Sequence, residues 1–133
     1  MCLIRHKNKI LVSKGYDKVK AETFYRFLGG SLEFNETIEY GIEREIKEEL
    51  GSDINDLHLL DVIQNIFTYE GEKRHQLVFL YKGNLSDKSL YEKNVIHITD
   101  ATVEFDAEWM PLERVINREV ILYPQYDYSN LLR

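Results

Sequence analysis

Three observations predict a single domain of mixed α and β structure. Strand-like stretches dominate both ends of the chain, one long helical pattern lies between them, and 133 residues leave no room for a second core of ordinary size. Residues 1–4 and 9–13 read as a hairpin turning through the polar His6-Lys7-Asn8. Residues 24–28 form a short strand that stops at Gly29-Gly30. Residues 59–69 and 75–82, apolar and aromatic-rich, make a second hairpin through Glu70-Gly71-Glu72. A further strand over 103–110 and a short closing helix over 111–117 complete the elements. The chain starts abruptly in a strand, so either that strand is short or residues precede Met1.

Composition excludes several classes. Hydrophobic residues make up 44% and charged residues 30%, unlike a disordered tail. No apolar run approaches the roughly 18 residues that span a bilayer. The start of the chain turns basic at Arg5-His6-Lys7, before the apolar region of a signal peptide can form. Cys2 is the only cysteine, which excludes an internal disulfide and a cysteine zinc cage. With 17 Lys and Arg against 23 Asp and Glu, the net charge of −6 disfavours a nucleic-acid polymer as partner. These features predict a cytoplasmic protein without membrane association. A small phosphorylated ligand stays compatible with an acidic chain when a divalent cation sits between the two.

The helical pattern runs over 37–50. Ile38, Ile42, Ile46 and Leu50 recur every four positions and form one apolar stripe. Thr37 or Asn35 suits the N-cap, and Gly51 suits the left-handed residue that ends the helix. Gly41 in mid-helix costs up to about 1 kcal/mol relative to Ala, which predicts a close neighbour against the backbone there. Beside the stripe, Glu45, Glu48 and Glu49 share one arc at spacings of three and four residues. Like charges near a helix C-terminus oppose both each other and the macrodipole. Arg44 and Lys47 offset this only in part, and Lys47 points away from the trio. A solvated acidic face accounts for such a stretch taken alone. A hard divalent cation such as Mg²⁺ or Mn²⁺ also resolves the repulsion, because it takes oxygen ligands and keeps waters for a phosphate substrate.

The wider spacing decides between these readings. Gly30 is followed after five residues by Glu36, after seven more by Arg44-Glu45-Ile46, and then by Glu48-Glu49 and Gly51. Eight such placements arise by chance on the order of once in 10⁹ starting positions. The pattern, over about 30–52, resembles the signature of the Nudix hydrolases. The strand and glycine-rich lead-in over 24–34, the hairpin residues 67–71 and 75–81, Glu108-Trp109-Met110-Pro111-Leu112 and Leu122-Tyr123-Pro124 are similar to other parts of that family. The resemblance thus covers nearly all of 1–133, read as one domain.

The resemblance implies an α/β/α sandwich with a mixed sheet and a catalytic loop–helix–loop. It implies metal-dependent hydrolysis of a pyrophosphate bond in a nucleoside diphosphate linked to another moiety: a nucleotide sugar, ADP-ribose or a nucleotide. Carried over by position, Glu45, Glu48 and Glu49 are the ligands of Mg²⁺, with Mn²⁺ as substitute. Glu45 assists deprotonation of the attacking water, Glu36 and Arg44 form the ion pair that pins the loop to the helix, and the Gly29 carbonyl adds a metal ligand. The chemistry suits these residue types, since cations neutralise a pyrophosphate and carboxylates anchor the cations and accept a proton. A homodimer is common among such domains, although no interface signature stands out here. The alternative is a module that keeps the fold and binds a nucleotide without catalysis; intact box carboxylates argue against it.

Departures from the family pattern are Ser52 for a bulky aliphatic residue, with Ile54 filling its space, Asn35 and Ser31 for glycines, Phe27 for a proline, and Gln76 where a glutamate is frequent. Outside the box, Arg26 beside the glycine turn is a candidate for a substrate phosphate, and Glu104 for an extra metal ligand. His75 is the best-placed histidine for a substrate contact, and Phe67, Tyr69 and Tyr81 are candidates for stacking on a base.

Overall fold

The computed structural model describes residues 1–101 and 103–132, with side chains as far as residue 130 and none at 102. The elements run β1 (Cys2–His6), β2 (Lys9–Asp17), β3 (Glu22–Phe27), α1 (Ile38–Leu50), β4 (Ile54–Tyr69), β5 (Glu72–Leu85), β6 (Val95–Asp100), β7 (Val103–Pro111), α2 (Leu112–Ile116) and β8 (Leu122–Tyr123). Short 3₁₀ turns cover Lys88–Glu92 and Tyr128–Leu132. Among the described residues no helix is long and apolar enough to cross a membrane.

All eight strands join one mixed hydrogen-bonded network, in the order β4-β5-β1-β2-β3-β8, with β7 paired to β2 and β6 to β7. β1 is the joint. It runs parallel to β5 through Cys2↔Tyr81 and Ile4↔Gly83, then meets β2 in the antiparallel hairpin at Arg5↔Ile10. Turn chemistry follows the sequence: Glu70 and Gly71 both take positive φ (49° and 84°), which matches the twist of the β4–β5 hairpin they close.

Strand alternation sorts the core into two layers. Cys2, Ile4 and Leu11 point to one face, where they meet Ile42 and Ile46 of α1. Leu3, Ile10 and Val12 point to the other, where they meet Leu112 and Val115 of α2. One helix therefore covers each face, which is the α/β/α layering expected from the resemblance. Ile46 is fully buried, and each large aliphatic residue so placed contributes about 1.5–3 kcal/mol.

The predicted strands and helices all form. β4 begins earlier than expected, because register shifts between Asn55 and His58 and between Leu59 and Asp61 blur the period-2 pattern of its first half. β6 lies outside the sequence-based elements. Its buried Ile96 and Ile98 alternate with exposed Val95, His97 and Thr99, a readable half-buried pattern confined to six residues.

Asp17 fastens two distant turns. Its Oδ1 accepts hydrogen bonds from the backbone N–H groups of Val19 (2.9 Å) and Lys20 (3.1 Å), and its Oδ2 accepts one from Glu70 (3.1 Å) at the tip of the β4–β5 hairpin. Burial pushes the carboxyl pKa up, but the three donors outweigh it and hold the group below the usual Asp range. The sign follows: a depressed pKa gives stability that is complete above the unfolded value of about 3.9 and is lost as pH falls through the folded one. Asp17→Asn is expected to melt several degrees lower than the native protein at pH 7, with the gap closing below about pH 4. Thermal melts from pH 7 to pH 3 check this, and a gap that stays constant contradicts it.

Candidate active site

The loop before α1 is built around one ion pair. Asn35 takes φ 65°, a conformation Asn tolerates, and turns the chain so that Glu36 points back at the helix. Glu36 accepts from Glu33 N–H at 2.8 Å and receives Nε and Nη2 of Arg44 side by side, the latter at 3.0 Å. These donors, Arg44 foremost and then the Glu33 amide, hold the Glu36 carboxyl below the ordinary range. Thr37 caps the helix by accepting from Tyr40 N–H at 3.2 Å, and Gly51 ends it at φ 68°. Gly41 lies under this loop: a Cβ there would come within 2.5 Å of Leu32 and 3.1 Å of Glu36 Oε1, which is the predicted close neighbour.

Arg44 spends its remaining donors on the acidic face. Nη1 reaches Glu45 Oε1 at 3.0 Å and Glu48 Oε2 at 3.3 Å, while Nη2 reaches the Ser31 carbonyl at 3.4 Å. Lys47 instead pairs with Asp53 at 3.5 Å, away from the trio as expected. Glu45 lies against the glycine turn, where a Cβ on Gly30 would sit 2.8 Å from its Oε1. Gly29 takes φ 121°, a region open to glycine.

The carboxylates that converge are Glu45 and Glu48 of α1 and Asp100 at the end of β6, each offering an oxygen within 4.8 Å of the others. Asp100 is not among the candidates that the sequence offers. The signal that leads to it is parity, since Ile96, Ile98 and Asp100 share one face of β6 and the first two pack on α1. The same parity removes Glu104 from the cluster. It lies opposite Thr99, and its carboxylate sits 3.9 Å from Nε2 of His97, which also bonds Asp106 at 2.8 Å. Glu49, the third residue of the predicted trio, lies outside the converging set but beside it. Burial first, then a hydrogen bond and the charge of Glu45, push its pKa to about 7, with Arg26 opposing.

Hard oxygen donors from two elements, incompletely neutralised by one guanidinium, suit a divalent cation. Next to this cluster a shallow cavity of about 430 Å³ is lined by Arg26, Gly29, Gly30, Ser31, Gln76 and Phe79, among others. Arg26 and Gln76 also line a second cavity of about 400 Å³, walled by Phe24, Phe67, Tyr69, Phe105 and Tyr123. Arg26 thus stands exposed between the acidic cluster and the aromatic cavity. Of the aromatic candidates, Phe67 and Tyr69 reach that cavity. Tyr81 does not: it is buried under α1 and donates to Glu39 at 2.7 Å. His75 is exposed and lines neither cavity.

Two departures from the family pattern have structural counterparts. Ser52 is buried, donates to Asp53 O at 2.8 Å and accepts from Asp87 N–H at 3.0 Å, so it ties the end of α1 to the β5–β6 connection. Ile54 fills the apolar space beside it. Phe27 is fully buried against Tyr128.

A family model described as NUDIX domain matches residues 1–128. The chain belongs to the NUDIX family. An 8-oxo-dGTP diphosphatase of Proteus vulgaris is 37% identical over 60 residues, covering 45% of this chain and 54% of that protein. One of Buchnera aphidicola subsp. Schizaphis graminum is 28% identical over 102 residues, covering 74% of this chain and 75% of its own. The first match spans only about half of the Proteus protein. Among solved structures, the E. coli ORF135 protein aligns with a TM-score of 0.51 at 19% identity, over 92% of this chain and 77% of that one. An ADP compounds hydrolase aligns with 0.57 at 18% identity, over 97% and 62%. These two likenesses concern the fold.

Gly30→Ala is expected to push the Glu45 carboxylate from its seat while leaving the fold intact, since Gly30 does not take positive φ. Turnover of a nucleotide substrate should fall about 10–100-fold, the scale of misplacing a ligand's support, with a melting temperature within a few degrees of native. Unchanged turnover contradicts the seating of Glu45 on the turn.

Proposed function

We propose that the protein hydrolyses the pyrophosphate bond of a nucleoside diphosphate derivative in the cytoplasm, using Mg²⁺ or, as substitute, Mn²⁺. The observation that carries this reading is the convergence of Glu45, Glu48 and Asp100 oxygens within 4.8 Å beside the Arg44–Glu36 pair. Two relatives named 8-oxo-dGTP diphosphatase favour a nucleoside triphosphate over a nucleotide sugar or ADP-ribose.

Glu45, Glu48 and Asp100 would hold the cation, with Glu49 alongside. When bound, the cation supplies charge neutralisation for the diphosphate and a more acidic water. The protein's own groups supply orientation and proton transfer. Arg44 keeps Glu45 and Glu48 pointed into the site through two hydrogen bonds, at 3.0 and 3.3 Å. Glu36, braced by the Glu33 amide, fixes Arg44 in turn. Arg26 approaches the substrate phosphates from β3. Glu45, held against the glycine turn, accepts the proton of the attacking water.

Glu48→Gln is expected to lower kcat at least about 100-fold, some 2.7 kcal/mol, and Asp100→Asn at least about tenfold. Removing a charge from an acidic cluster relieves repulsion, so neither variant should melt lower than native. Mg²⁺ should raise the melting temperature of the native protein and not that of the Glu48→Gln/Asp100→Asn double variant. Turnover is measured on nucleoside triphosphates, nucleotide sugars, ADP-ribose and dinucleoside polyphosphates, with Mg²⁺ and with chelator. Full activity in both single variants rejects the site. No turnover across the panel, with metal-dependent binding of one compound, supports a binding module instead.

A further inference from the structure

Asn65 is the polar side chain that nothing above uses. It lies mid-way along β4 and is 5% exposed, yet its carboxamide has no hydrogen-bond partner among the described residues. No unpartnered polar side-chain atom among them is sealed off completely, so what little of this amide is accessible opens onto the aromatic-walled cavity of about 400 Å³ that it lines. An amide that no protein group engages, opening onto a cavity, is free to pair with a ligand seated there. Directly opposite in the β4–β5 ladder stands Gln76, so both carboxamides project from the same face and line the same cavity. Ser13, buried in the facing strand β2 and likewise unpartnered, borders the cavity from the other side.

The chemistry of this pair narrows the ligand. Each carboxamide presents one acceptor and one donor side by side and carries no charge, so it matches an uncharged edge with an adjacent donor and acceptor. Nucleobases have such edges, and bidentate pairing of Asn or Gln with them is well known in readout of adenine. The walls suit a flat ring: Phe24, Phe67, Tyr69 and Tyr123 all line the cavity, with Phe67 and Phe24 at 5.8 and 5.6 Å from Tyr123 and Phe24 at 5.9 Å from Tyr69, in tilted or edge-on arrangements. Arg26 and Gln76 border both this cavity and the one beside the acidic cluster, so a base seated here leaves its phosphates near Glu45.

We propose that Asn65, with Gln76 beside it, reads the hydrogen-bonding edge of the substrate's nucleobase and sets base preference. The inference rests on the preceding reading that the substrate is a nucleotide. It assigns to Gln76, a departure from the family's glutamate, the task of neutral base recognition.

The test is equilibrium binding of AMP, GMP, CMP and UMP, which have no anhydride to cleave, in the presence of Mg²⁺. The native protein is expected to prefer one base at least about tenfold. Asn65→Leu, of similar volume and apolar, should bring the four affinities within about threefold of one another. Because the amide makes no bond within the protein, the variant should fold and melt within a few degrees of native. Gln76→Ala, at an exposed position, should narrow the preference without affecting the fold. The proposal is overturned by a native protein without base preference, by a preference unchanged in both variants, or by equal weakening for all four bases. Base preference in a protein that hydrolyses no anhydride would remove the hydrolase reading and leave this one standing. Hydrolysis with unaltered selectivity in Asn65→Leu would do the reverse.

Discussion

The ion pair between Arg44 and Glu36 is the interaction on which the rest of the site depends. Glu36 is nearly buried and shares its two oxygens with one planar guanidinium, and the side-by-side geometry leaves little rotational freedom. With Nε and Nη2 committed there, Nη1 is aimed at Glu45 and Glu48. One cation thus organises a loop, a helix face and two carboxylates, leaving a local excess of negative charge. That excess is tolerable because Glu48 and Asp100 keep access to solvent and burial with the neighbouring Glu45 pushes the Glu49 carboxyl up to about 7. A lysine at position 44 has no second donor plane with which to do both tasks.

The remainder of the fold places this charged platform against a recognition surface. β1 belongs to two ladders, parallel to β5 and antiparallel to β2, and so sets the β4–β5 hairpin against β2, β3 and β7. Asp17 closes the far end by bonding the hairpin tip. Between these two ties lies the aromatic-walled cavity, with Asn65 and Gln76 on one side and Arg26 leading toward the carboxylates. On the proposed reading, binding and chemistry are divided between strands and helix. That division accounts for a helix motif that signals the family while the proposed ligand contacts come from residues scattered over several strands.

Much of this is legible in the amino-acid sequence. The apolar stripe of α1, its Thr37 cap and Gly51 terminus, the Glu70-Gly71 turn and the closing helix all appear as predicted, because each is encoded within a few neighbouring residues. Gly41 signals a close neighbour and has two, Leu32 and Glu36. The Arg44–Glu36 pair, which the family resemblance implies, forms. Asp100 is not signalled in this way, and Glu104 is the candidate that the sequence offers in that region. Both sit near one turn, and only the register of β6 against β7, with Ile96 and Ile98 packed on α1, tells which carboxylate faces the helix. Asn65 carries no signal at all, since an isolated asparagine within a strand pattern gives no sign of burial.

The sequence by itself determined the helix α1: its length, its caps, the arc that Glu45, Glu48 and Glu49 share, and the arginine that partly answers them. These are properties of positions three to eight apart, set by the 3.6-residue turn. The tertiary structure alone decided that Asp100 joins Glu45 and Glu48 in the converging set and that Tyr81 packs in the core while Phe67 and Tyr69 reach the cavity. It also decided that Asn65 lies buried beside Gln76. The physical reason is strand parity. A side chain's face depends on register with a partner strand far along the chain, and a shift of one residue reverses every assignment.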